Sequence, residues 1–323
     1  MRATPICAFL LSTACASLAA AQPAEAAPAD GAAHAEDAPK PKKEPYSLPW
    51  QLRPAGVGNV VRWDTAVAMY KPKGQDESGH TIASFLLFAY KITEDMAPLV
   101  RLGVLNDKSP GADAKTGLTN AALGFTWAPK ISPNMKLAAF LGVAFPIGAG
   151  GGNDPSTDAP TPGRGIYARS AMDNAMFAVN DLTVFPGLDL AYVAGGLTVQ
   201  AEVTVLQLTR VKGDKVQPDK AKTNFTSGLH VGYFVIPQLS LGAELRYQRW
   251  LSTPKFVEAD EALPSDQQAG LRDTLSFAVG PRLHFKLGED MALHPGIAYA
   301  RGLDNPMSDN GYNIIQVDVP MSF

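Results

Sequence analysis

From Asn59 to Phe323 the chain alternates apolar and polar residues with a period of two, segment after segment. Successive side chains of a strand point to opposite faces, so this pattern selects strands with one apolar and one polar face. It predicts twelve strands, near 59–70, 81–92, 97–106, 118–128, 135–147, 181–192, 197–211, 223–235, 239–251, 272–286, 291–301 and 312–323. In LTVQAEVTVLQL, Leu197, Val199, Ala201, Val203 and Val205 share one face; Thr198, Gln200, Glu202 and Thr204 share the other. In LSLGAELRYQ the faces are Leu239, Leu241, Ala243, Leu245 and Tyr247 against Ser240, Gly242, Glu244, Arg246 and Gln248.

The connections sort by length. Short turns fall near 93–96, 129–134, 193–196, 236–238 and 287–290, and long polar loops near 71–80, 107–117, 148–174, 212–222, 252–271 and 302–311. Short and long alternate strictly. An up-and-down transmembrane barrel has this asymmetry, whereas a soluble sandwich has no reason for it. Strands of about ten residues cross a bilayer at a tilt and exceed the usual length of about five or six in globular proteins. On the apolar face, Tyr90, Trp127, Tyr192, Tyr233 and Phe285 fall near turn ends; Phe145, Tyr247, Phe277 and Tyr299 fall near loop ends. Two aromatic belts are expected at two membrane interfaces. After residue 25 no apolar run is long enough for a membrane-spanning helix.

The last segment, YNIIQVDVPMSF, alternates Ile315, Val317, Val319, Met321 and Phe323 against Ile314, Gln316, Asp318 and Ser322, and ends in Phe. It resembles the C-terminal strand of bacterial outer-membrane β-barrel proteins. The resemblance implies that Val317, Val319, Met321 and Phe323 form the signal read by the barrel assembly machinery. It covers residues 59–323 and implies an all-β, transmembrane, up-and-down antiparallel barrel of about twelve strands, surrounded by outer-membrane lipid, porin-like or transporter-like. Pro320 departs from an ideal strand, but proline is tolerated at a seam.

The N-terminal region reads differently. Residues 1–21, with Arg2, an apolar run and Ala19-Ala20-Ala21 before Gln22, have the form of a secretory signal peptide. Both cysteines, Cys7 and Cys15, lie in it, so the remaining chain holds neither a disulfide nor a thiolate metal site. Processing there removes Arg2 alone among the charges, taking the net charge from −3 to −4. That balance argues against a general nucleic-acid binder. Residues 22–45 are Ala/Pro-rich without aromatic or β-branched residues, the composition of a disordered periplasmic lead. Residues 46–58, YSLPWQLRPAGVG, either cap the periplasmic mouth or lie at the interface.

The inward face decides function. The register turns Asp64, Lys91, Arg101, Gln200, Glu202, His230, Glu244, Arg246, Arg282, His284, Lys286, His294 and Asp318 into the lumen. Small residues such as Ala66, Ala68, Gly142, Gly232, Gly242, Gly280 and Gly296 accompany them. Arg101, Glu202, His230, Glu244, Arg246, Arg282 and His284 are the candidate lumen and selectivity residues, since mixed charge orders water and biases permeating ions. The leading expectation is a passive channel or transporter for small solutes, with no cofactor and no catalytic group. Alternatively, paired charges plug the lumen and the barrel works through its external loops. An outer-membrane enzyme is the third class, with Ser78 and His80 as the nearest thing to a catalytic pair. GAGGGND in the 148–174 loop lacks the Lys-Ser/Thr of a phosphate loop, and His284 with His294 lacks a third metal ligand.

Overall fold

The computed structural model describes residues 44–323. The expectations for residues 1–43 lie outside the described residues. Twelve wall strands form a closed antiparallel barrel: β1 (Val60–Tyr70), β2 (Gly79–Ala89), β3 (Met96–Lys108), β5 (Ala121–Trp127), β6 (Met135–Phe145), β7 (Asp181–Ala194), β8 (Leu197–Arg210), β9 (Ala221–Ile236), β10 (Leu239–Trp250), β11 (Asp273–Leu283), β14 (Gly296–Gly302) and β15 (Asn313–Ser322). Each pairs with its sequence neighbour, and β1 pairs with β15 from Val60↔Ser322 to Met69↔Asn313, which closes the ring. Closure gives every wall strand two partners, the condition for burying backbone polar groups in lipid.

The barrel carries additions. The short β4 (Lys115–Leu118) extends the pairing of β3 beyond the rim. The expected strand 118–128 is broken at Thr119-Asn120, because the Asn120 side chain turns inward to bond Ala175 O and Ala178 O. At the opposite end, β12 (Phe285–Leu287) and β13 (Met291–Leu293) form a small hairpin. The expected strands 272–286 and 291–301 are thus interrupted at His284 and at His294-Pro295. Lys286 stands exposed on that hairpin and Lys91 on a turn, so neither reaches the lumen. The loop from β6 to β7 contains α1 (Pro162–Ala168) and α2 (Asn174–Phe177), and the loop after β10 contains α3 (Lys255–Glu261).

The outside is the apolar face. Leu102, Leu123, Leu141, Leu188, Leu241 and Ile297 all lie exposed there. Trp127, Tyr192 and Tyr233 are exposed near the turn end and Phe145 near the loop end. Among the described residues no helix is long and apolar enough to cross a membrane; the strands do so. The inside is inverted: Asp64, Asp189, Glu202, Glu244, Arg246, Arg282 and Asp318 are buried there among alanines and glycines. This is a transmembrane barrel with its polar side chains enclosed.

Candidate functional site

Twelve strands spaced by about 4.8 Å and tilted by about 40° hold the backbone about 12 Å from the axis, against about 8 Å for eight strands. The inner wall is built from small residues, with Ala66, Ala83, Ala138, Ala144, Ala278 and Ala300 all buried. Such a wall cannot fill a cylinder of this width by itself. Two segments from outside the wall fill it.

The first is residues 44–58, which enter from the turn end and bury Trp50 and Leu52. Glu44 accepts from the backbone N–H of Gly195 in the β7–β8 turn. Higher in the lumen, Thr198 Oγ1 accepts from Ser47 N at 2.9 Å, and Tyr46 donates to Gln200. Glu202 accepts from Arg53 N at 2.6 Å and pairs with the Arg53 guanidinium at 2.9 Å; Asp189 lies 3.6 Å from that guanidinium. Glu244 accepts from the N–H groups of Trp50 and Gln51. Arg282 stacks over the Trp50 ring, its carbon 4.3 Å from the centroid. Residues 46–58 thus sit at the turn-end mouth and extend beyond it into the lumen.

Glycines make room for it. A Cβ on Gly232 would lie 2.4 Å from Ser47 Cβ, and one on Gly296 would lie 2.6 Å from the Trp50 ring. Gly232→Val should therefore displace the segment and leave the wall intact, because valine suits a strand. We expect hydrogen exchange in 44–58 to accelerate about tenfold or more, with barrel amides unchanged. Unchanged exchange in 44–58 would show that the fit at Gly232 is immaterial.

The second insert is the β6–β7 loop, which descends from the loop end. Gly165 lets the Phe177 ring approach where a Cβ would meet it at 2.4 Å, and Phe177 packs edge-on against Phe85 of β2. The loop reverses inside the barrel at Ser170 (φ 51) and Ala171 (φ 56), both buried. Left-handed backbone in residues other than glycine costs roughly 1–2 kcal/mol each and persists only where surroundings dictate it. Here they do. Arg169 reaches Asp64 at 2.6 Å and Asp173 at 2.8 Å, Arg101 holds Asp173 through both oxygens, and Arg246 donates to Ser170 Oγ at 3.3 Å. Burial would raise the Asp173 carboxyl, but Arg101 and Arg169 outweigh it and hold the group well below the usual carboxylate range.

The two inserts meet on one ionic layer. Arg246 pairs with Glu244 at 2.8 Å and with Gln316 at 2.8 Å, so the side chain that touches the loop also fixes the carboxylate that seats Trp50. Arg62 binds Asp318 at 2.8 and 3.0 Å and donates to Trp50 O. Arg282 shares Asp318 at 2.5 Å and donates to His294 O.

Of the candidates named from sequence, Arg101, Glu202, His230, Glu244, Arg246 and Arg282 all face inward, and all contact an insert or a wall partner rather than an open path. His230 lies beside Ser47 and 3.7 Å from Glu244. His284 sits apart at the hairpin base, bonded to Ser240 and to His294, Nδ1 to Nδ1 at 2.9 Å. Among the described residues no group of three or more metal-ligating side chains is assembled.

Sequence reasoning missed Arg53, Arg62, Arg169, Asp173 and Asp189. Alternation alone places Arg62 beside Asp64 and Asp189 beside Ala191 on the inward face. Arg169 and Asp173 carry an i, i+4 ion-pair spacing inside a loop.

No family model matches the chain, and no curated protein matches it. Solved structures do. An outer membrane channel from Pseudomonas putida F1 superimposes with a TM-score of 0.54 at 13% identity, covering 85% of this chain and 98% of that one. The KdgM porin in complex with disordered oligogalacturonate gives 0.45 at 9% identity, covering 82% and 99%. The NanC porin gives 0.45 at 9% identity, covering 81% and 98%. The chain has the porin-like barrel fold of bacterial outer-membrane channels.

Proposed function

We propose that this protein is a channel for small solutes in the bacterial outer membrane, shut by its own two inserts. The turn end and both termini face the periplasm. The reading rests on one observation: a wall too wide and too small-lined to fill itself is filled by two segments that are not part of it, held by buried ion pairs and hydrogen bonds as well as by apolar contacts around Trp50 and Phe177. Water can take over the hydrogen bonds and ion pairs as an insert leaves, so only the apolar contacts are lost outright. Passage would be passive, with no cofactor and no catalytic step. The occlusion itself favours the second reading, a closed barrel that works through its external loops. Planar-bilayer recording of the native chain and of chains with released inserts separates the two. Conductance steps from the released chains support a channel; folded, released chains that stay silent support the second reading.

The C-terminal strand supports assembly by the barrel assembly machinery. Val317, Val319 and Met321 share the outward register of β15, and Phe323 stacks on Phe88 at 6.4 Å beside the closing seam. Deleting Phe323 should lower the amount of assembled barrel in outer membranes several-fold, read as the heat-modifiable band on gels. An undiminished band would remove the terminal ring from this role.

A further inference from the structure

We infer that the turn-end mouth holds a binding site for a small organic carboxylate with an apolar body. Its role, as the vestibule a permeating solute occupies, rests on the channel reading.

The N-terminal segment does not fill the lower lumen completely. Between it and the inner faces of β1, β2, β3, β5, β6 and β15 lies a cavity of about 370 Å³. Small-molecule sites occupy roughly 300–1,000 Å³. At about 30 Å³ for each water-sized group, this one accommodates about a dozen non-hydrogen atoms.

The lining is one-sided in charge. Leu48, Val57, Val60, Leu87, Leu99 and Pro320 supply apolar wall. The polar lining includes Arg53, Arg62, Lys136 and His294, and contains no aspartate or glutamate. Elsewhere in the lumen, acids and bases alternate in pairs. Here the carboxylates that balance Arg53 and Arg62, namely Glu202, Asp189 and Asp318, do not line the cavity. Arg53 spends Nη2, and Arg62 spends Nε and Nη2, on those bonds, which leaves Nη1 of each outside them. Lys136 lies over the Tyr46 ring, its nitrogen 5.3 Å from the centroid.

An occupant therefore meets cations first and carboxylates behind them. A carboxylate is stabilised there by charge-assisted hydrogen bonds. A cation meets like charge, and a neutral alcohol gains only the apolar contact. The cavity is too small for a polysaccharide segment and too apolar for an inorganic anion to exploit.

Equilibrium dialysis of octanoate, 1-octanol and octylammonium tests the site, using the barrel in nanodiscs against empty nanodiscs to subtract partition into lipid. Octanoate should bind the protein about tenfold more tightly than either analogue. Leu99→Trp, which fills the cavity, should abolish binding, and Lys136→Met should weaken octanoate several-fold and octanol little. Heat-modifiable migration reports that both variants fold. Equal binding of octanoate and octanol, or octanoate binding that survives Leu99→Trp in a folded chain, overturns the proposal. Conductance is read separately: octanoate binding by the native chain, together with silence of the folded chain lacking both inserts, supports the site and rejects the channel, whereas conductance of the released chain without octanoate binding by the native one rejects the site alone.

Discussion

Deleting residues 46–55 and replacing 162–177 with a short Gly/Ser linker in the same chain should raise single-channel conductance by about tenfold or more, while either change alone should raise it only a few-fold. The reason is geometric. The N-terminal segment closes the turn-end half of the lumen, and the β6–β7 loop closes the loop-end half. Obstacles in series add as resistances, so removing one leaves the other in control. The strands themselves are paired along their lengths by neighbouring strands, not by the inserts, so the wall should survive both changes. Heat-modifiable migration checks that it does. A large rise from either single change would mean that one insert alone limits flow, and a folded double variant without conductance would end the channel reading.

Glu244→Gln should have the second largest effect, and it should reach both inserts. The carboxylate lies buried against Arg246, and its removal strands a buried guanidinium, a change that typically costs about 3–5 kcal/mol. Because Arg246 also contacts Ser170, and Glu244 also seats Trp50, the cost falls on the contacts of both segments. Hydrogen exchange in 44–58 and in 165–175 should then accelerate about a hundredfold or more, since each 1.36 kcal/mol is tenfold. The double variant Glu244→Gln/Arg246→Met removes the charge along with its partner and should recover part of the loss. Faster exchange in 44–58 with 165–175 unmoved would show that the two segments are seated independently.

The wall was legible in the sequence because period-two alternation is enforced wherever one face meets lipid and the other does not. The register of Thr198 to Thr204 and of Ser240 to Gln248 follows directly from it. The residues that seat the inserts were not legible for the complementary reason. Trp50, Arg53, Arg169 and Asp173 lie in segments with no strand period, and most of their partners are far along the chain, as Arg101 is for Asp173 (72 residues) and Glu244 for Trp50 (194 residues), on strands whose alternation reveals direction but not occupancy. The same inward carboxylate fits a water-filled path or a buried ion pair, and only the third dimension distinguishes them. Lys286 was misplaced because alternation was carried past Leu283, where pairing with β14 gives way to the β12–β13 hairpin.

The seating of Arg53 governs what an emptied barrel would present to a solute. Asp189 and Glu202 stand on β7 and β8; Arg62 stands on β1, six strands around the ring from β8. While Arg53 bridges to the acidic side, that side is neutralised. Once it withdraws, Asp189 and Glu202 lose their cation while Arg62 keeps Asp318, and the transverse field set by the bared carboxylates would align any molecule with a permanent dipole as it passed.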